Sequence, residues 1–101
     1  MNKVAIAFLT KDRVELSKRT IVPLLQPDKF DLWCIDGSDT TLGQNFAMAQ
    51  ACEKLHVNVK GGADPAVVYA LTEMLKGDYT HVGIVENAVL LHPDWFGPTF
   101  A

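Results

Sequence analysis

Apolar and polar positions along this chain follow two rhythms, and the two rhythms take turns. Lys3 to Leu9 (KVAIAFL) is an almost continuous apolar run, the pattern of a strand covered on both faces. A helical segment from Arg13 to about Leu25 follows, opened by a capping-box-like pair, Asp12 and Glu15. Pro23 has no amide hydrogen and biases Val22 away from helical geometry, so the last turn is expected to kink or break. Asp31 to Asp36 (DLWCID) reads as the second strand, and Gly37-Ser38-Asp39 carries turn chemistry.

The alternation continues. Thr41 and Gln44 form a second capping box, opening a helix that carries Phe46, Met48, Cys52 and Leu55. His56 to Lys60 (HVNVK) alternates as a short or edge strand would, and Gly61-Gly62 ends it. Asp64 reads as the next N-cap, with Pro65 at the first helical position. Val67, Val68, Leu71, Met74 and Leu75 recur at helical spacing on one face, and Gly77 is placed to cap the end. Thr80 to Val85 (THVGIV) is the fourth strand, and Pro93 opens a short final turn containing Trp95 and Phe96.

This order predicts one α/β domain over residues 1–101. Its expected form is three-layer: a four-stranded, mainly parallel sheet with helices on both faces and right-handed crossovers. In such folds ligands bind beyond the carboxyl ends of the strands, where strand order reverses. Function is therefore sought at that edge.

Composition narrows the choice of partner. The 101 residues are 49% hydrophobic and 21% charged, as in an ordinary globular domain. The net charge of −3 is spread without blocks, which speaks against nucleic acid as a ligand. No apolar run approaches the roughly 18 residues of a membrane span, and Met1 leads straight into a strand-like run without a signal-peptide core. A cytoplasmic protein is expected. Cys34 and Cys52 read as small buried reduced thiols. His56, His81 and His92 lack metal-ligand spacing.

Four segments should converge at the strand ends: Thr10-Lys11-Asp12-Arg13, Asp36-Gly37-Ser38-Asp39, Lys60-Gly61-Gly62 and Glu86-Asn87-Ala88. The first turn has no glycine, and no GxxxxGK[ST] pattern occurs, so neither a dinucleotide fingerprint nor a P-loop is present. A diphosphate held here would need a metal or cationic side chains. Glu86 could hold such a metal. Asp36 ends an apolar strand before Gly-Ser, and could accept a hydrogen bond from a nucleobase or ribose. Asp12 and Asp64 read as helix caps. Asp39 either shapes its turn or binds, and Lys11, Arg13 and Lys60 are solvated charges or phosphate contacts.

The ordered series resembles a known family. A strand ending in Thr-x-x-Arg is followed by one ending in Asp-Gly-Ser-Asp, then by Gly-Asp-Tyr before a strand with an acidic end, then by Pro-Asp-Trp-Phe. That series resembles the N-terminal, nucleotide-sugar-binding half of GT-A glycosyltransferases of the family 2 type. The resemblance implies a Rossmann-like half-domain binding a UDP- or GDP-linked sugar. It places Thr10 and Arg13 against the nucleoside, Asp36 on the base, Ser38 and Asp39 in the same binding turn, and Lys60 near the nucleotide. Glu86-Asn87-Ala88 would take the place of the family's Asp-x-Asp motif. Ala88 replaces its last metal-binding carboxylate, so Glu86 is expected to hold Mn²⁺ or Mg²⁺ only weakly, helped by Asn87 or His92.

The family's acceptor half, with its general base, normally follows this region, and these residues offer no candidate for that base. The expectation is thus donor binding without independent hexosyl transfer. A non-catalytic interaction or assembly module retaining only the fold is the alternative. Either reading leaves the fourth strand's outer edge and the Trp95-Phe96-Phe100 region in want of a cover, so a homo-oligomer is expected. A flavodoxin-like phosphate site fits poorly, because Thr10 to Arg13 is not a Ser/Thr/Gly-rich phosphate loop.

Overall fold

The sheet is built around β1 (Val4–Thr10), whose seven residues are all buried. A computed structural model describes residues 3–50 and 52–87. Within them β2 (Asp31–Asp36), β3 (Lys54–His56) and β4 (His81–Glu86) join β1 in the order β3-β2-β1-β4. Every pairing is parallel, so the expected mainly parallel sheet is wholly parallel here. Three helices make the crossovers: α1 (Val14–Ile21), α2 (Thr41–Met48) and α3 (Ala63–Met74).

Alternate residues of β1 enter two separate apolar clusters, as the period of two along a strand requires. Val4, Ile6 and Phe8 join Ile21, Leu24, Phe30, Leu32, Cys34 and Ala47. Ala5, Ala7 and Leu9 join Trp33, Ile35, Ala70 and Met74. Phe8 is fully buried, and a side chain of that kind contributes about 1.5–3 kcal/mol by leaving water. Burial also pushes the Cys34 thiol up to about 12, and both cysteines are free. No described helix is long and apolar enough to cross a membrane.

β2 has its expected bounds, and the chain leaves α1 through a 3₁₀ turn, Val22–Leu24, at Pro23 as its missing amide demands. Other boundaries are corrected. Asp12 does not cap α1: Arg13 holds the cap position, and both residues are left-handed, with φ of 51° and 48°. Thr40, not Thr41, caps α2, its hydroxyl accepting from the Gly43 amide at 3.1 Å. α2 stops at Met48, leaving Cys52 and Leu55 outside it, because Glu53 already donates to Leu32 O at 2.7 Å as pairing with β2 begins.

β3 is Lys54–His56 rather than His56 to Lys60. Asn58, at φ 61°, turns the chain, and the Val59 amide returns to Asp36 O at 3.0 Å. α3 is capped by Gly62 at φ 93°, and Asp64 lies inside its first turn. Ala70 and Met74 form its buried stripe, whereas Val68 and Leu75 are exposed, so the five-residue apolar face is narrower than its spacing implied. Leu75, not Gly77, is the C-cap, and the Gly77 amide bonds Met74 O in the turn beyond. β4 starts one residue later than expected, since Thr80 uses its hydroxyl to bond the Lys3 backbone. The expected turn at Pro93, Trp95 and Phe96 lies outside the described residues.

The chain runs outward from β1 to β2 to β3, then crosses to the other side of β1 to make β4. The reversal therefore falls between β1 and β4. That is where a crevice is expected.

Candidate functional site

Parallel register brings three strand ends to one edge: Thr10 stands opposite Asp36, and Leu9 opposite Glu86. A cleft of about 130 Å³ opens there. Its walls come from the end of β1 (Leu9, Thr10, Lys11), the residues after β2 and β3 (Gly37, Val59), the start of α3 (Gly62, Ala66), and Glu86-Asn87. A larger cavity, about 430 Å³, lies by the start of β2 among Leu24, Phe30, Leu32 and Cys52. It is far from the strand carboxyl ends and mostly apolar. The smaller cleft is the one where polar groups converge on the point of strand reversal.

Asp36 is fully buried, one residue before the cleft-lining Gly37. Its Oδ1 accepts from the Thr10 hydroxyl at 2.5 Å and from the Ser38 hydroxyl at 2.6 Å. Its Oδ2 is buried with no hydrogen-bond partner among the described residues. A buried polar oxygen left unpaired costs about 1–3 kcal/mol, more when charged, and calls for a specific cause. Gly37, rather than Asp36 itself, forms the adjoining cleft wall. A Cβ on Gly37 would stand 2.5 Å from Val59 O, so only glycine permits this approach of the two loops.

The loops around Asp36 are tied together. The Ser38 hydroxyl accepts from the Asp12 amide at 2.8 Å. The Asp12 carboxylate accepts from the Thr40 amide, the Thr40 hydroxyl and the Asp39 amide, and these bonds hold it below the usual aspartate range. The Lys60 ammonium donates to Ser38 O, Gly37 O and Asp39 Oδ1. Asn87 donates to Asp12 O and to the Ser17 hydroxyl, while its carbonyl accepts from the Thr20 hydroxyl. Asn87 thus fixes the end of β4 beside α1.

The expected site residues divide accordingly. Thr10 and Glu86 reach the cleft. Asp36 and Ser38 are buried beside it, and Asp39 is exposed, paired with Lys60 and 4.0 Å from Lys11 Nζ. Lys60 braces two loops. Arg13 is exposed at the start of α1, with no ion pair among the described residues. Among the described residues no cluster of three or more His, Cys, Asp or Glu could hold a metal ion. Glu86 therefore has no such companions among the described residues, and Ala88 and His92 lie outside them.

Sequence reasoning brought Gly62 to this edge with Lys60 and Gly61 but missed Val59 and Ala66 as wall residues. The signal for Ala66 was the Gly61-Gly62 pair before a helix, both at positive φ, which sets where α3 begins. The chain matches no protein-family model, no curated protein and no solved structure.

Proposed function

We propose that this edge binds a nucleoside diphosphate sugar, UDP- or GDP-linked, as the donor-binding half of a glycosyltransferase-like cytoplasmic protein. The observation that carries the reading is Asp36: a carboxylate at the end of β2, with one oxygen accepting two hydroxyl hydrogen bonds and the other without a partner among the described residues. A base or ribose donor is the kind of group that satisfies such an oxygen. Thr10 bonds Asp36 and lines the cleft, so it links the two. The reading also draws on the ordered motif series of the sequence.

The phosphates have two sources of stabilisation. α3 is capped by Gly62 without a side-chain hydrogen bond, and its start flanks the cleft; helix N-termini favour anions. Lys11 stands at the same cleft, exposed. A bound Mn²⁺ or Mg²⁺ would meet a single carboxylate, Glu86, among the described residues lining the cleft, so most of the affinity should survive without metal. A cleft of about 130 Å³ is below the roughly 300 Å³ of a typical small-molecule site, and accommodates part of the ligand with the rest lying over the strand ends. Calorimetry with UDP, GDP and their sugars, with and without manganese, tests the reading. Saturable binding supports it, and no heat from any of them at millimolar concentration defeats it.

The assembly reading has its own support. β4 lies at the sheet's edge among the described strands, and Val82, Ile84 and Val85 are only half-buried. Strand edges and apolar faces of this kind invite a second copy. A dimer mass by light scattering supports it, and a monomer at high micromolar concentration speaks against it.

A further inference from the structure

We propose that Asp12 is the positioning residue of the strand-end edge: its carboxylate clasps the β1–α1 turn to the start of α2 and so fixes Thr10 and Lys11 in the cleft. The ligand consequence rests on the nucleotide reading above, whereas the clasp is a property of the chain alone.

Two consecutive non-glycine residues in the left-handed region are costly and persist only where their surroundings over-determine them. Asp12 and Arg13 are such a pair. The surroundings that hold them are visible at Asp12, where every polar atom is engaged. Oδ1 accepts from the Thr40 amide at 3.0 Å and the Thr40 hydroxyl at 2.5 Å, and Oδ2 from the Asp39 amide at 3.2 Å. Its amide donates to Ser38 Oγ at 2.8 Å, and its carbonyl accepts from Asn87 Nδ2 at 3.2 Å. Three loops, following β1, β2 and β4, therefore meet at one side chain and its backbone.

The clasp and the cap of α2 are one chain of hydrogen bonds. Thr40 Oγ1 donates to Asp12 and accepts from the Gly43 amide. Gly43 leaves the room for this: a Cβ there would stand 2.8 Å from Asp12 Oδ1 and 2.6 Å from Ser38 Oγ. Ser38 in turn donates to Asp36 Oδ1, so the clasp reaches the buried carboxylate through a single hydroxyl. Asp12 acts through its neighbours. Both carboxylate oxygens are already engaged by the β2–α2 turn, and the residues it positions, Thr10 and Lys11, immediately precede it in the chain.

The test uses Asp12→Gly and Asp12→Asn in the full chain. Glycine adopts a positive φ freely, so the first variant removes the carboxylate without adding backbone strain, and the second keeps one accepting oxygen. Amide hydrogen exchange and calorimetry with UDP and GDP are read side by side. In Asp12→Gly the Asp39 and Thr40 amides should lose at least about tenfold in protection while the interior of β1 and β2 keeps its own. The Kd for UDP should rise by about tenfold or more, as for a displaced binding group, with Asp12→Asn intermediate in both measurements. Unchanged protection at Asp39 and Thr40 would overturn the clasp. Lost protection with an unchanged Kd would overturn the positioning role, and equal loss throughout β1 and β2 would reduce Asp12 to general stability. A wild-type chain that binds neither UDP nor GDP defeats the nucleotide reading instead, and the exchange data still decide the clasp.

Discussion

Thr10 and Asp36 end neighbouring strands in register, and the Thr10 hydroxyl donates to Asp36 Oδ1 at 2.5 Å. Ser38 donates to the same oxygen. Replacing the carboxylate by a methyl group leaves two buried hydroxyls without their acceptor. Asp36→Ala should therefore lose about 1–3 kcal/mol in urea unfolding. Asp36→Asn should lose less than about 1 kcal/mol, because its amide oxygen can still accept from both hydroxyls. Equal losses in the two variants would contradict this account of the pair.

Close approach of backbone makes a second prediction. A Cβ on Gly43 would collide with Ser38 and Asp12, and one on Gly37 with the Val59 carbonyl. Gly37→Ala and Gly43→Ala should each destabilise by about 1–3 kcal/mol, as overpacking does. Gly62→Ala meets nothing within 4 Å, so its cost comes only from the backbone at φ 93° and ψ −165°, a region essentially confined to glycine, again about 1–3 kcal/mol. Urea midpoints with unchanged slopes check these losses.

The legible and illegible parts of this fold differ in what fixes them. β2 was readable to the residue because an apolar run ends in Asp36 before Gly37-Ser38, so local sequence marks its carboxyl end. β3 was not: the alternation of His56 to Lys60 is a real pattern, but pairing with β2 and the left-handed Asn58 decide where the strand lies. Caps were misplaced for a similar reason. Asp12 has the composition of an N-cap, yet its carboxylate bonds residues 27 and 28 positions away, and nothing local reports that. The strand-end edge followed from topology, whereas the α3 wall of the cleft depended on how the Gly61-Gly62 turn folds back.

The two lysines near the site should behave differently. Lys60 donates to three oxygens of the Gly37 to Asp39 turn, whereas Lys11 lines the cleft and stands 4.0 Å from Asp39 Oδ2. Lys11→Ala should weaken diphosphate binding by about tenfold, near 1.4 kcal/mol, with little change in stability. Lys60→Ala should lower stability by about 1 kcal/mol through its lost hydrogen bonds. The reverse pattern in calorimetry and urea unfolding would show the roles exchanged.

Acid should act through Asp12. Hydrogen bonds from the Thr40 hydroxyl and amide hold its carboxyl below the ordinary aspartate value. A group depressed in the folded state stabilises fully above its unfolded value, near 4, and that contribution is lost as pH falls through the folded value. Asp12→Asn should therefore flatten the acid limb of stability below about pH 4. Asp78→Asn removes a depressed carboxyl paired with Lys3 at the surface and should change that limb much less. An unchanged limb in Asp12→Asn would contradict the assignment.

The central claim is that Asp36 Oδ2, without a hydrogen-bond partner among the described residues, belongs to a nucleotide site. Calorimetric titration of UDP and GDP into the wild-type chain and into Asp36→Asn tests it most directly, with urea unfolding confirming that the variant is folded. Saturable binding to the wild type should weaken by at least about tenfold in the variant, because an amide N–H₂ replaces an acceptor. Equal affinity in both proteins, or no binding to either nucleotide by the wild type, would contradict it.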